Sequence, residues 1–132
     1  MSASFALHGL HHVARVTKHL EASRAFYREV LGFAEIPRPA FSFGGAWLYN
    51  YGLQIHLIVD AAAADSTGPI QTRDNHLAFE TGDIEAFERG LKARGIVYRV
   101  NFQAGTGVKQ LFFRDPDGHH VEIGHYGPTR TE

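Results

Sequence analysis

LHHVARVTKHL (residues 10–20) and NHLAFETGDI (residues 75–84) carry the same pattern twice. Each opens on a histidine heading an apolar run, His12 in the first and His76 in the second, an offset of 76 − 12 = 64 residues. Eight residues after each histidine a helical pattern begins, at Leu20 and at Ile84, and each pattern closes at a glycine, Gly32 and Gly95. Near the end of each copy an apolar strand holds one more residue of metal-ligand type. These are His56 in QIHLIV (residues 54–59) and Glu122 in HVEIGH (residues 120–125), 56 − 12 = 44 and 122 − 76 = 46 positions on. Self-similarity at a fixed period is the sequence signature of repeated structural units.

Working outward, residues 8–17 alternate as a strand, with His12, Ala14 and Val16 on one face and Val13, Arg15 and Thr17 on the other. A helix is expected over Leu20–Leu31 with Gly32 as its C-terminal cap. Strands follow at 33–38, 46–51 and 53–59, the last two joined by a turn at Asn50-Tyr51-Gly52. The second copy repeats this order. A strand at 76–81 leads to a helix over 84–94 capped by Asp83, then strands at 97–102, 108–113 and 120–125, with Arg114-Asp115-Pro116-Asp117-Gly118 as a turn. The expected fold is α+β. Two βαβββ modules, residues 8–59 and 73–126, form one domain around a cleft, joined by a linker at 60–72.

At 132 residues the chain suffices for one compact domain, and a half of about 60 residues would be marginal alone. A net charge of −1 supplies no broad basic field, so nucleic acid is not an expected partner. No apolar run approaches the ~20 residues of a membrane span, and the opening MSASFALHGL lacks the basic segment and apolar core of a signal peptide, so a cytoplasmic protein is expected. The absence of cysteine removes disulfides, thiolate catalysis and thiolate metal sites, so any metal must be held by nitrogen and oxygen.

Strand parity puts His12 and His56, and likewise His76 and Glu122, on corresponding faces of the two copies. A pseudo-twofold axis would bring all four to one point. Three imidazoles and a carboxylate suit one divalent transition metal (Zn, Ni, Mn, Co or Fe) and disfavour Ca or Mg, which take oxygen shells. A lone strand histidine is more often a hydrogen-bonded core residue than a ligand. Glu122 between Val121 and Ile123 is more telling, because a buried unpaired carboxylate costs several kcal/mol and calls for a cation. His120, two residues earlier, shares its face.

The segments GLHHVARV, SRAFYREVLGF, NHLAFE and QLFFRDPDGHHVEI resemble the vicinal oxygen chelate superfamily, which includes glyoxalase I, fosfomycin- and bleomycin-resistance proteins and extradiol dioxygenases. The resemblance implies a metal-dependent enzyme of lyase or isomerase type, acting on a small carbonyl or vicinal-oxygen substrate, with Glu122 as the proton-transfer residue. It carries the family ligands onto His12, His76 and Glu122, and the fourth onto His56, where glyoxalase I has a glutamate. The family spacing from His12 to Phe26 selects His12 over His11, which is expected on the opposite face of the strand. The resemblance also implies a homodimer with a shared site, His12 and His56 from one subunit meeting His76 and Glu122 from the other. Its alternatives are an Fe(II) extradiol-type dioxygenase and a metal-free drug- or metabolite-binding protein.

Overall fold

The computed structural model describes residues 5–64 and 68–132, and the chain divides into two compact units, residues 1–64 and 65–132. In the first unit the order is β1 (His12–Thr17), α1 (Leu20–Ala25), a π-helical turn (Phe26–Val30), β2 (Ala34–Ile36), β3 (Gly45–Asn50) and β4 (Leu53–Val59). These strands form a sheet in the order β1-β4-β3-β2, with β1 parallel to β4 and the other pairs antiparallel. One face packs under α1. Leu48, Ile55, Leu57, Ala46 and Thr17 lie at 0–1% exposure, and Phe26, Tyr27 and Phe33 are buried as well.

The helix expected to run to Leu31 changes character at Phe26. Two adjacent aromatic rings, Phe26 and Tyr27, are both buried there, in edge contact at 5.3 Å. The wider turn places the Leu31 N–H on the Phe26 carbonyl at 3.3 Å and the Phe33 N–H on the Tyr27 carbonyl at 2.9 Å. The turn expected at Asn50-Tyr51-Gly52 forms between β3 and β4 from two residues, Tyr51 at φ 37° and Gly52 at φ 81°. Two positive φ values match the hairpin turn whose twist suits paired strands.

The second unit repeats the plan: β5 (His76–Glu80), α2 (Ile84–Ala93), β6 (Tyr98–Phe102), β7 (Lys109–Arg114) and β8 (His120–Gly124). Its sheet order is β5-β8-β7-β6, with β5 parallel to β8. Leu111, Phe113, Val121 and Ile123 form its helix-side core together with Leu91. The Asp83 side chain accepts from the Ala86 N–H at 3.0 Å and so caps α2. At the other end Ile96 N–H reaches the Leu91 carbonyl (3.0 Å) and Gly95 N–H the Lys92 carbonyl (3.1 Å), with Gly95 at φ 68°. That bond pair is the Schellman closure, which needs the left-handed residue that glycine supplies. Among the described residues no helix is long and apolar enough to cross a membrane.

Because the Asp83 side chain satisfies the Ala86 N–H at the start of α2, Asp83→Ala is expected to lower stability by about 1 kcal/mol in urea unfolding; an unchanged midpoint would show that the cap contributes nothing.

Candidate functional site

In the first unit the register sets His12 opposite Gln54 and Ala14 opposite His56, while β3 brings Trp47 opposite His56. All of these lie on the face turned away from α1. The His56 ring is held between two near-parallel rings, Trp47 at 4.2 Å and His12 at 4.0 Å between centroids. Ala14 makes this possible, since its short side chain leaves room for His12 to lean towards His56. His56 Nε2 lies 2.8 Å from Gln54 Oε1 and donates to it. His12 Nδ1 meets His11 Nδ1 at 2.9 Å. His11, expected on the opposite face, instead lies just before β1 and is exposed, so nothing holds its ring to the helix side. Burial pushes the His56 imidazole below its ordinary value, with His12, His11 and Arg38 adding to the shift, so the ring stays neutral.

In the second unit the same register sets His76 opposite His120 and Ala78 opposite Glu122. Again an alanine leaves room, and His76 Nε2 reaches to 3.0 Å from Glu122 Oε1. His76 Nδ1 lies 2.6 Å from the Asp74 carbonyl oxygen. A carbonyl only accepts, so Nδ1 carries a proton, and Nε2 meets the carboxylate oxygen either with a proton of its own or with a lone pair. With a lone pair, two acceptors at that distance need a cation between them, either an added proton or a metal ion. The donor set therefore fits a divalent metal. Backbone-anchored Nδ1–H is also the arrangement that orients histidines at metal sites.

The other carboxylate oxygen of Glu122 is supported from behind. Asn101 Nδ2 donates to Gln110 Oε1 at 2.7 Å, which aims Gln110 Nε2 at Glu122 Oε2, 3.2 Å away. The Tyr126 hydroxyl also donates to Oε2. Its ring folds back over Gly124, where any Cβ would collide with the phenol, so this close approach requires glycine. Burial raises the Tyr126 phenol to about 12, and the bond to Glu122 adds to the shift, keeping it a proton donor at neutral pH. His120 is buried on the same face, and its Nε2 accepts from the Gln71 N–H at 3.1 Å. A hollow of about 350 Å³ adjoins this group, lined by Arg73, Asn101, Gln103, Gln110, Phe112 and Glu122.

Among the described residues no group of three or more His, Asp and Glu is arranged so that it could hold a metal ion. The donors come as two pairs, His12 with His56 and His76 with Glu122, one in each unit. Sequence reasoning missed Gln54, Gln110 and Tyr126. Gln54 and Gln110 were legible as polar residues in apolar strands, sharing a face with His56 and opposite Gly124 respectively. Tyr126 lies beyond the last strand, and no periodicity marks it.

A family model described as the Glyoxalase/Bleomycin resistance protein/Dioxygenase superfamily matches residues 9–123. The chain is 37% identical to Glyoxylase I 4 of Arabidopsis thaliana over 89% of its own length and 70% of that protein. It is 30% identical to a manganese-dependent 2,3-dihydroxybiphenyl 1,2-dioxygenase of Geobacillus genomosp. 3, covering 93% of this chain and 38% of that one. A solved glyoxalase family protein from Enterococcus faecalis superposes with a TM-score of 0.71 at 28% identity, over 89% of this chain and 98% of the other. With the family pattern spanning both units and their shared βαβββ plan, the chain belongs to the glyoxalase/bleomycin resistance/dioxygenase superfamily.

Proposed function

We propose that this chain is a metal-dependent enzyme of the glyoxalase type, a lyase or isomerase acting on a small substrate that carries two adjacent oxygens. The observation that carries the reading is the His76–Glu122 contact, an imidazole nitrogen 3.0 Å from a carboxylate oxygen, with a second donor pair at the equivalent positions of the other unit. Neither pair alone makes a transition-metal site, which takes three or four protein donors. Together they supply His12, His76 and Glu122, with His56 as the fourth donor. We assign the two pairs to different protomers of a homodimer, so that each dimer holds two shared sites.

The metal, when bound, supplies Lewis-acid stabilisation of the negative charge that develops on the substrate oxygens. The chain supplies the proton transfer. Glu122 is the base: Gln110 and Tyr126 orient its carboxylate through Oε2, and the carboxylate takes a proton from the substrate carbon and returns it. The Arabidopsis relative supports the lyase or isomerase reading. A dioxygenase reading draws on the Geobacillus relative and on the two histidines and one carboxylate that His12, His76 and Glu122 would present.

Metal-free protein is expected to take up about one zinc, nickel, manganese, cobalt or iron ion per chain on dialysis, and His12→Ala and Glu122→Ala are each expected to lose it. Uptake should weaken as pH falls through about 6.5, where ordinary imidazoles take up protons and stop donating; equal uptake at pH 5 and pH 8 would count against a histidine-rich site. On a panel of α-hydroxycarbonyl compounds, Glu122→Gln should cut turnover by roughly 100-fold or more. Full turnover in that variant with its metal retained would remove Glu122 from proton transfer.

A further inference from the structure

We propose that Gln54 keeps His56 off the metal in the resting protein, so that His12, His76 and Glu122 hold the ion and His56 joins only when Gln54 lets go. The inference rests on the metal-site reading and deepens it. Gln54 and His56 are two positions apart on β4 and share its open face, where Gln54 stands opposite His12. The amide oxygen of Gln54 takes the Nε2 proton of His56 at 2.8 Å, so that nitrogen has no lone pair to give. The ring cannot easily turn away. It lies between Trp47 and His12 with interplanar angles of 4° and 12°, and a flip about Cβ–Cγ would sweep it through both neighbours.

The second unit shows the contrast. The residue equivalent to Gln54 there is His120, and its Nε2 is turned to the Gln71 backbone N–H rather than to Glu122. Glu122 Oε1 is thereby left to face His76, while His56 is latched. One of the two equivalent donor positions turns a donor atom to the first-strand histidine, and the other gives its nitrogen to a neighbour on its own strand. The consequence is chemical: with His56 withheld, the protein would offer a metal three donors rather than four, and Gln54 would decide the count.

The test is the affinity of metal-free protein for Co(II), measured by competition with a chelator, in the wild type, His56→Ala, Gln54→Ala and the double variant. If His56 is withheld, His56→Ala binds within about threefold of wild type. Gln54→Ala binds about tenfold tighter, in keeping with the size of such neighbour effects, and the double variant returns to the wild-type value. A loss of tenfold or more in His56→Ala, or no gain in Gln54→Ala, would overturn the proposal while leaving the metal site in place. No Co(II) binding by any of the four proteins would remove the metal-site reading itself, and this proposal with it. Should Gln54→Ala not fold, Gln54→Leu keeps the bulk without the acceptor. Independently, ¹⁵N spectra of the metal-free wild type should find the His56 proton on Nε2, and a proton on Nδ1 would contradict the latch.

Discussion

Parallel pairing of the first and last strands of each unit is the constraint on which the other features depend. A parallel pair cannot be closed by a tight turn and needs a long crossover, and in each unit the helix and two intervening strands provide it. Once β1 lies on β4 and β5 on β8, the register leaves no freedom over which side chains share a face, because a slip of one residue would turn every side chain over. The registers are equivalent, Ala14 opposite His56 and Ala78 opposite Glu122. In both cases an alanine lies beside the last-strand donor and the first-strand histidine leans across it. The repeat in the sequence is thus a repeat of a chemical arrangement, with imidazole beside imidazole in one copy and imidazole beside carboxylate in the other.

The two copies have diverged in how the last-strand donor is supported. Glu122 is buried and braced on Oε2 by a relay of Asn101, Gln110 and Tyr126, with Gly124 giving up its side chain to let the phenol in. His56 is braced by stacking and by Gln54. A carboxylate brought out of water needs donors, and it has them on one oxygen only. Its other oxygen faces Nε2 of His76 at 3.0 Å, a contact that a proton or a metal ion between the two would satisfy.

Much of this was legible in the sequence, because strand parity and period survive folding. The βαβββ order, the hairpin at Tyr51-Gly52, the Asp83 cap and the sharing of a face by His12 with Ala14 and by Glu122 with His120 all follow from local rules. The π-helical turn was not legible, since it depends on burying Phe26 and Tyr27 together against Phe33. Nor was the position of His11, which parity assigned to the far face although it precedes the strand and so escapes its alternation. Tyr126 was invisible for a different reason: it reaches Glu122 by folding back over Gly124, a tertiary route that spacing along a strand does not encode.

We propose that two donor pairs from different protomers complete one site. This is tested most directly by metal analysis of a purified heterodimer of His12→Ala and Glu122→Ala chains, each carrying its own affinity tag. Shared sites concentrate both defects in one site and leave the other whole, so the heterodimer should bind about half the metal of the wild-type dimer although each variant homodimer binds none. A heterodimer as empty as the two parents would contradict the claim and place both pairs of each site within a single chain.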